Sequence, residues 1–239
     1  TAGDDVTVTG KAEFAVSKYD RDLGTLTGAT LNSYAFKVNG GIIVGPILTP
    51  TVKLTFSGAL AVATVNDSAG AKVYTAIKIA DANVTANAGT EKFGLSGDLT
   101  IDYYHSNSAA TGYERLDWTN AFADGEILDP GAALPSSLAA GTTGPVLPID
   151  FTSDMHYRVG GSVSGKAPDN VILTAGDDVT VTGKAEFAVS KWDRDFENLA
   201  PGSTLNSYAF SIDGGIIVGP TDDPTVELTF SGALAVATV

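Results

Sequence analysis

Cysteine is absent from all 239 residues, so no disulfide can staple the fold and no thiolate can act as a nucleophile or soft metal ligand. A eukaryotic secreted module of this size commonly carries disulfides, which points to a bacterial or archaeal source. Positive charge is scarce as well: 14 Lys and Arg stand against 28 Asp and Glu, a net charge of −14. That balance argues against nucleic-acid binding, which needs basic surface to neutralise phosphate, and suits solubility or divalent cations. No run of 18 apolar residues occurs, so no helix is expected to span a membrane. Histidine is limited to His105 and His156, which have no histidine partner at metal spacing. A Gly-x-Ser-x-Gly elbow is missing, and Gly160 to Lys166 fails as a phosphate loop because Ala167 follows the lysine. These absences predict a protein that is not an enzyme.

What is present is a long internal repeat. Residues 1–65 return as 174–239 with 52 of 65 positions identical and one extra residue between Asp195 and Thr204. Residues 66–173 occur once. The recurrence defines a unit of residues 1–173, with 174–239 as the start of the next, so the chain reads as a window on a longer array. Differences between the copies, such as Lys37/Ser211, Lys53/Glu227 and Ile47-Leu48-Thr49/Thr221-Asp222-Asp223, delete, reverse or add charge and avoid the apolar strand face. They mark solvated surface rather than a charged site.

Alternation with period two dominates the secondary-structure signal. Val6, Val8, Gly10, Ala12, Phe14 and Val16 share one face of a strand, while Thr7, Thr9, Lys11, Glu13 and Ser17 share the other. The same pattern recurs at Val52–Val62, Val73–Ile79, Phe93–Tyr103 and Met155–Val163. Turn residues punctuate the runs at Asn39-Gly40-Gly41, Ala167-Pro168-Asp169-Asn170 and Ala200-Pro201-Gly202-Ser203. Residues 106–148, with Pro130, Pro135, Pro145 and Pro148, read as a long excursion loop with a short helix near Tyr113 to Ala123. The predicted fold is all-β: antiparallel β-sandwich modules in tandem, joined through a stiff junction at Val171 to Thr174, where no flexible linker separates the units.

Candidate sites are few. Asp4, Asp5, Asp20 and Asp22, repeated as Asp177, Asp178, Asp193 and Asp195, offer the oxygen ligands that Ca2+ requires. A strand of about 14 residues sets the two pairs roughly 45 Å apart, so sharing one ion would require other loops. The aromatics Tyr103, Tyr104, Tyr113, Trp118 and Phe122 gather on or near the excursion loop, where they are expected to pin it to the sheet; a sugar or protein contact surface is the other use of such residues. Asn66-Asp67-Ser68 and Asn83-Val84-Thr85 match a glycosylation acceptor pattern too short to carry weight.

Near-identical modules, acidic charge, absent cysteine and strands rich in Thr, Ala, Gly and Val together resemble the repeat regions of large bacterial adhesins and surface filaments. That resemblance implies a structural or adhesive extracellular protein at the cell surface, whose partners are neighbouring repeats, identical chains, or cell-surface and matrix ligands. A second resemblance lies in Val6-Thr7-Val8-Thr9-Gly10-Lys11-Ala12-Glu13-Phe14-Ala15-Val16-Ser17, which looks like a strand of a bacterial porin and is long enough to cross an outer membrane. It implies an outer-membrane β-barrel. No aromatic girdle is evident in the sequence, and the near-exact return at 173 residues is foreign to a closed barrel.

Overall fold

The computed structural model describes residues 6–23, 26–46, 51–90, 93–122, 125–134, 147–166, 169–175, 178–197, 199 and 201–239. They form one antiparallel sheet built from long strands: β1 (Val6–Leu23), β2 (Leu26–Val44), β3 (Val52–Asn66), β4 (Lys72–Thr90), β5 (Phe93–Ala109), β6 (Met155–Ser164), β7 (Val171–Ala175), β8 (Val179–Arg194), β9 (Ser203–Val218) and β10 (Val226–Thr238). Spatial order follows chain order, β1-β2-β3-β4-β5-β6-β8-β9-β10, with β7 pairing to β5 and β8. The all-β, antiparallel expectation holds. The two-sheet sandwich is not found among the described residues, where a single sheet takes its place.

Long uninterrupted alternation is what allows strands of 15 to 19 residues in β1 to β5. Each pairs with its chain neighbour through a short connection, and these local hairpins build the meander. Register shifts bend it at several points, among them Asp81, at positive φ in the β3–β4 ladder, Asp102 in the β5–β6 ladder and His156 in the β6–β8 ladder. The positions of β6 and β7 amount to one strand interrupted by residues 165–170. Both run antiparallel to β5 and β8, one above the other. Gly165 is required there, because a Cβ would lie 2.0 Å from the Asn170 carbonyl oxygen. The stiff junction expected at Val171 to Thr174 is thus a strand within the sheet.

The two repeat copies pair alike. Val6↔Val44, Gly10↔Gly40 and Phe14↔Phe36 in β1–β2 recur as Val179↔Val218, Gly183↔Gly214 and Phe187↔Phe210 in β8–β9. Phe36↔Leu60 in β2–β3 recurs as Phe210↔Leu234 in β9–β10.

The excursion is shifted from the expected 106–148 to 110–154, because β5 continues to Ala109 and the next strand begins only at Met155. It contains no α-helix among its described residues: Tyr113 to Phe122 is turn and coil, and Pro130–Ala133 makes one 3-10 turn. Asp129 caps that turn by accepting from Gly131 N at 2.9 Å and Leu147 N at 2.8 Å. The excursion folds back over one face of the sheet, and the hydrophobic core lies between them: Trp118, Phe122, Ile149 and Phe151 meet Leu31, Val65, Val73 and Met155.

Candidate functional site

Following one row of partners across the strands shows how unlike the two faces are. On one face the row reads Phe14, Phe36, Leu60, Ile79, Tyr104, Val159, Val189, Tyr208, Val236. Moving one residue along reverses the side-chain direction, and the row becomes Ala15, Ala35, Ala61, Lys78, His105, Arg158, Ser190, Ser207, Ala237. The first face is apolar from edge to edge, and no described segment covers it. Phe14 is 74 % exposed, Leu234 64 % and Leu228 57 %, and large exposed hydrophobic residues occur on this face in β1 to β6, β9 and β10. Soluble monomers rarely carry an apolar patch beyond a few hundred Å2. This face runs the width of a nine-position sheet.

The opposite, inner face receives the excursion, which is fixed from β1 to β8. Arg21 of β1 donates to Glu126 at 2.9 Å and stacks over Phe122 at 4.9 Å. Leu147 packs on Ala59 and Ala61 of β3. Lys78 of β4 donates to the Pro148 carbonyl at 2.7 Å and pairs with Asp150 at 3.4 Å. Asn107 of β5 is buried and fully used: it donates to the carbonyls of Leu116 and Thr152 and accepts from Trp118 Nε1 at 3.1 Å. Arg115 bridges to Asp193 of β8, which His156 also contacts at 2.8 Å.

In the middle of that face stand Lys78, His105 and Arg158, side by side on β4, β5 and β6. His105 is 4 % exposed and lies stacked on Phe151 with ring centroids 4.9 Å apart. Burial, reinforced by the charges of Arg158 and Lys78 against the opposing Asp150, pushes its pKa down to about 4. The neutral ring then accepts a 2.8 Å hydrogen bond from Arg158 Nε. Arg158 also lies 5.1 Å from the Tyr103 ring centroid. The other three arginines each pair with a carboxylate, Arg21 with Glu126, Arg115 with Asp193 and Arg194 with Asp154; Arg158 has a histidine and a tyrosine instead. For Asp193, burial works to raise the pKa, but the His156 hydrogen bond and the His156 and Arg115 charges outweigh it and hold the carboxyl below its usual value.

The described residues among the expected calcium ligands make turn and ladder contacts. Asp22 accepts from Gly28 N and Asp195 from Gly202 N, each at 2.7 Å, the same hairpin bond in both copies. Asp20 accepts from Thr30 at 3.1 Å and Asp193 from Thr204 at 3.4 Å, again as equivalents. Asp178 sits in the turn before β8, its carbonyl accepting from Gly219 N. Asp4, Asp5 and Asp177 lie outside the described residues. Among those described, no three His, Cys, Asp or Glu side chains converge on a metal position.

The aromatics divide by face. Trp118, Phe122 and Tyr113 hold the excursion to the sheet, Tyr113 meeting Tyr74 edge-on at 6.0 Å. Tyr103 joins the Arg158 pair, while Tyr104 belongs to the outer row. Sequence reading missed the Lys78–His105–Arg158 row, because pairing across β4, β5 and β6 depends on the bulges at Asp81 and Asp102. No protein-family model, curated protein or solved structure matches the chain. No helix among the described residues is long and apolar enough to cross a membrane, which says nothing of strands.

Proposed function

We propose that this chain forms part of the wall of an outer-membrane β-barrel, with its apolar face toward lipid and the excursion lying in the lumen. One observation carries the reading: a single meander of long antiparallel strands whose outer face is continuously apolar and exposed among the described residues, while the inner face carries Lys78, His105 and Arg158 at its centre and packs an inserted segment against it. Strands of 15 to 19 residues exceed the ~9–11 needed to cross a bilayer when tilted. Backbone groups in lipid must be paired within the protein, which a meander achieves between its neighbours. Lys78 and His105 of the central row then anchor the excursion inside the lumen, through Pro148, Asp150 and Phe151. Refolding the chain with phosphatidylcholine vesicles and floating them on a density gradient tests this. The protein should rise with the lipid and keep a β-type circular dichroism spectrum; a monodisperse protein left in the aqueous fraction would overturn the reading.

The structural or adhesive array at the cell surface, associating with neighbouring repeats or identical chains, is the second reading, favoured by the 173-residue recurrence and its repeated strand register. It predicts concentration-dependent assembly in lipid-free buffer, which the same gradient separates from vesicle binding.

A further inference from the structure

We propose that the free edge of β10 is a docking edge for one specific kind of strand, an amphipathic segment with the residue pattern of β4, taken up in the register that β4 uses on β3. β10 is the second copy of β3: Val226–Thr238 and Val52–Thr64 differ only at Glu227/Lys53. In the first copy both edges of β3 are satisfied, β2 on one side and β4 on the other, with Leu54↔Ala86, Phe56↔Val84 and Leu60↔Ile79. In the second copy β9 takes the β2 side in the equivalent register, and no described strand pairs with the other edge. That edge presents a straight row of backbone donors and acceptors and has none of the devices that blunt free edges: no proline, no bulge, and no charge beyond Glu227. Its inner-face alanines, Ala233, Ala235 and Ala237, are exposed, whereas their equivalents Ala59, Ala61 and Ala63 are buried.

β1 cannot be the occupant in an antiparallel sheet. Eight successive antiparallel pairings separate β1 from β10, so the two run in the same direction, and antiparallel closure takes at least one further strand between them. β4 itself is flanked by β3 and β5, so the strand that the β3–β4 register calls for is a β4-like segment outside the structure. The inference rests on the repeat and its register, and stands whether or not the outer face meets lipid.

The absence of cysteine makes the test clean. The full chain carrying Leu228→Cys, in detergent micelles, is mixed under mild oxidation with synthetic peptides of residues 72–90 bearing Ala86→Cys, Asn87→Cys or Val84→Cys. The Ala86→Cys peptide should form disulfide at least tenfold faster than the Asn87→Cys peptide, whose thiol points to the other face, and faster than Val84→Cys, which lies two residues out of register. An independent pair on the inner face, Glu227→Cys with the Asn87→Cys peptide, should reverse the preference and guards against a local defect at Leu228. Equal rates for all peptides, no cross-link with either protein variant, or protein–protein disulfides outrunning the peptide would each overturn the proposal.

Discussion

At the residue scale, the central contacts are polar groups made neutral or fully paired by the excursion. His105 is neutral in the fold because burial and the flanking Arg158 and Lys78 oppose its protonation. Its folded-state pKa lies below the unfolded value, so the unfolded chain binds the proton more readily, and stability is lost as pH falls from 6.5 toward 4. Above 6.5 the residue has no effect. Linkage puts the loss at about 3 kcal/mol as an upper figure. His105→Gln keeps an acceptor for Arg158 without titrating, and denaturant midpoints measured between pH 7 and 4.5 should flatten relative to the parent; an unchanged slope would contradict the assignment. Asn107→Ala should be costlier at every pH. It strands the carbonyls of Leu116 and Thr152 and the Trp118 indole N–H, a loss of roughly 2–4 kcal/mol measured by urea unfolding. Neither residue stood out in the sequence: His105 had only the lack of a histidine partner at metal spacing to describe it, and Asn107 lay inside the expected excursion loop.

At the element scale, the strands themselves were legible, since period-two runs such as Val6 to Val16 and Val52 to Val62 lie within β1 and β3. Their surroundings were not. Alternation establishes that a strand has two unlike faces, and it does not say which medium each one meets. A sandwich strand and a barrel strand are written alike. The helix expected near Tyr113 to Ala123 failed for a related reason: its aromatics are spaced to dock on the sheet, Trp118 through Asn107 and Phe122 under Arg21, and not to form a stripe. Glycines within strands have a use only the structure discloses. A Cβ on Gly40 would lie 2.6 Å from the Phe56 ring, and one on Gly214 would lie 2.7 Å from the Phe230 ring, so an aromatic lies over a glycine at equivalent places in both copies. Gly40→Val should destabilise the β2–β3 ladder by about 1–3 kcal/mol, and adding Phe56→Leu should restore much of that, as a double-mutant cycle on thermal or urea unfolding would register.

At the scale of the whole molecule, the proposed barrel wall and the surface array differ in what covers the outer face. The same sheet could be half of a soluble assembly whose apolar face is covered by protein, or a wall whose apolar face is covered by acyl chains; the two differ in what touches Tyr34, Phe36 and Val38. Single cysteines placed at each position from Ser33 to Val38, in a chain that has none of its own, can carry a fluorophore in vesicles containing brominated lipid. The account predicts alternation: strong quenching at positions 34, 36 and 38, and little at 33, 35 and 37, whose side chains turn toward the inner face. Uniformly weak quenching, or the opposite alternation, would contradict it.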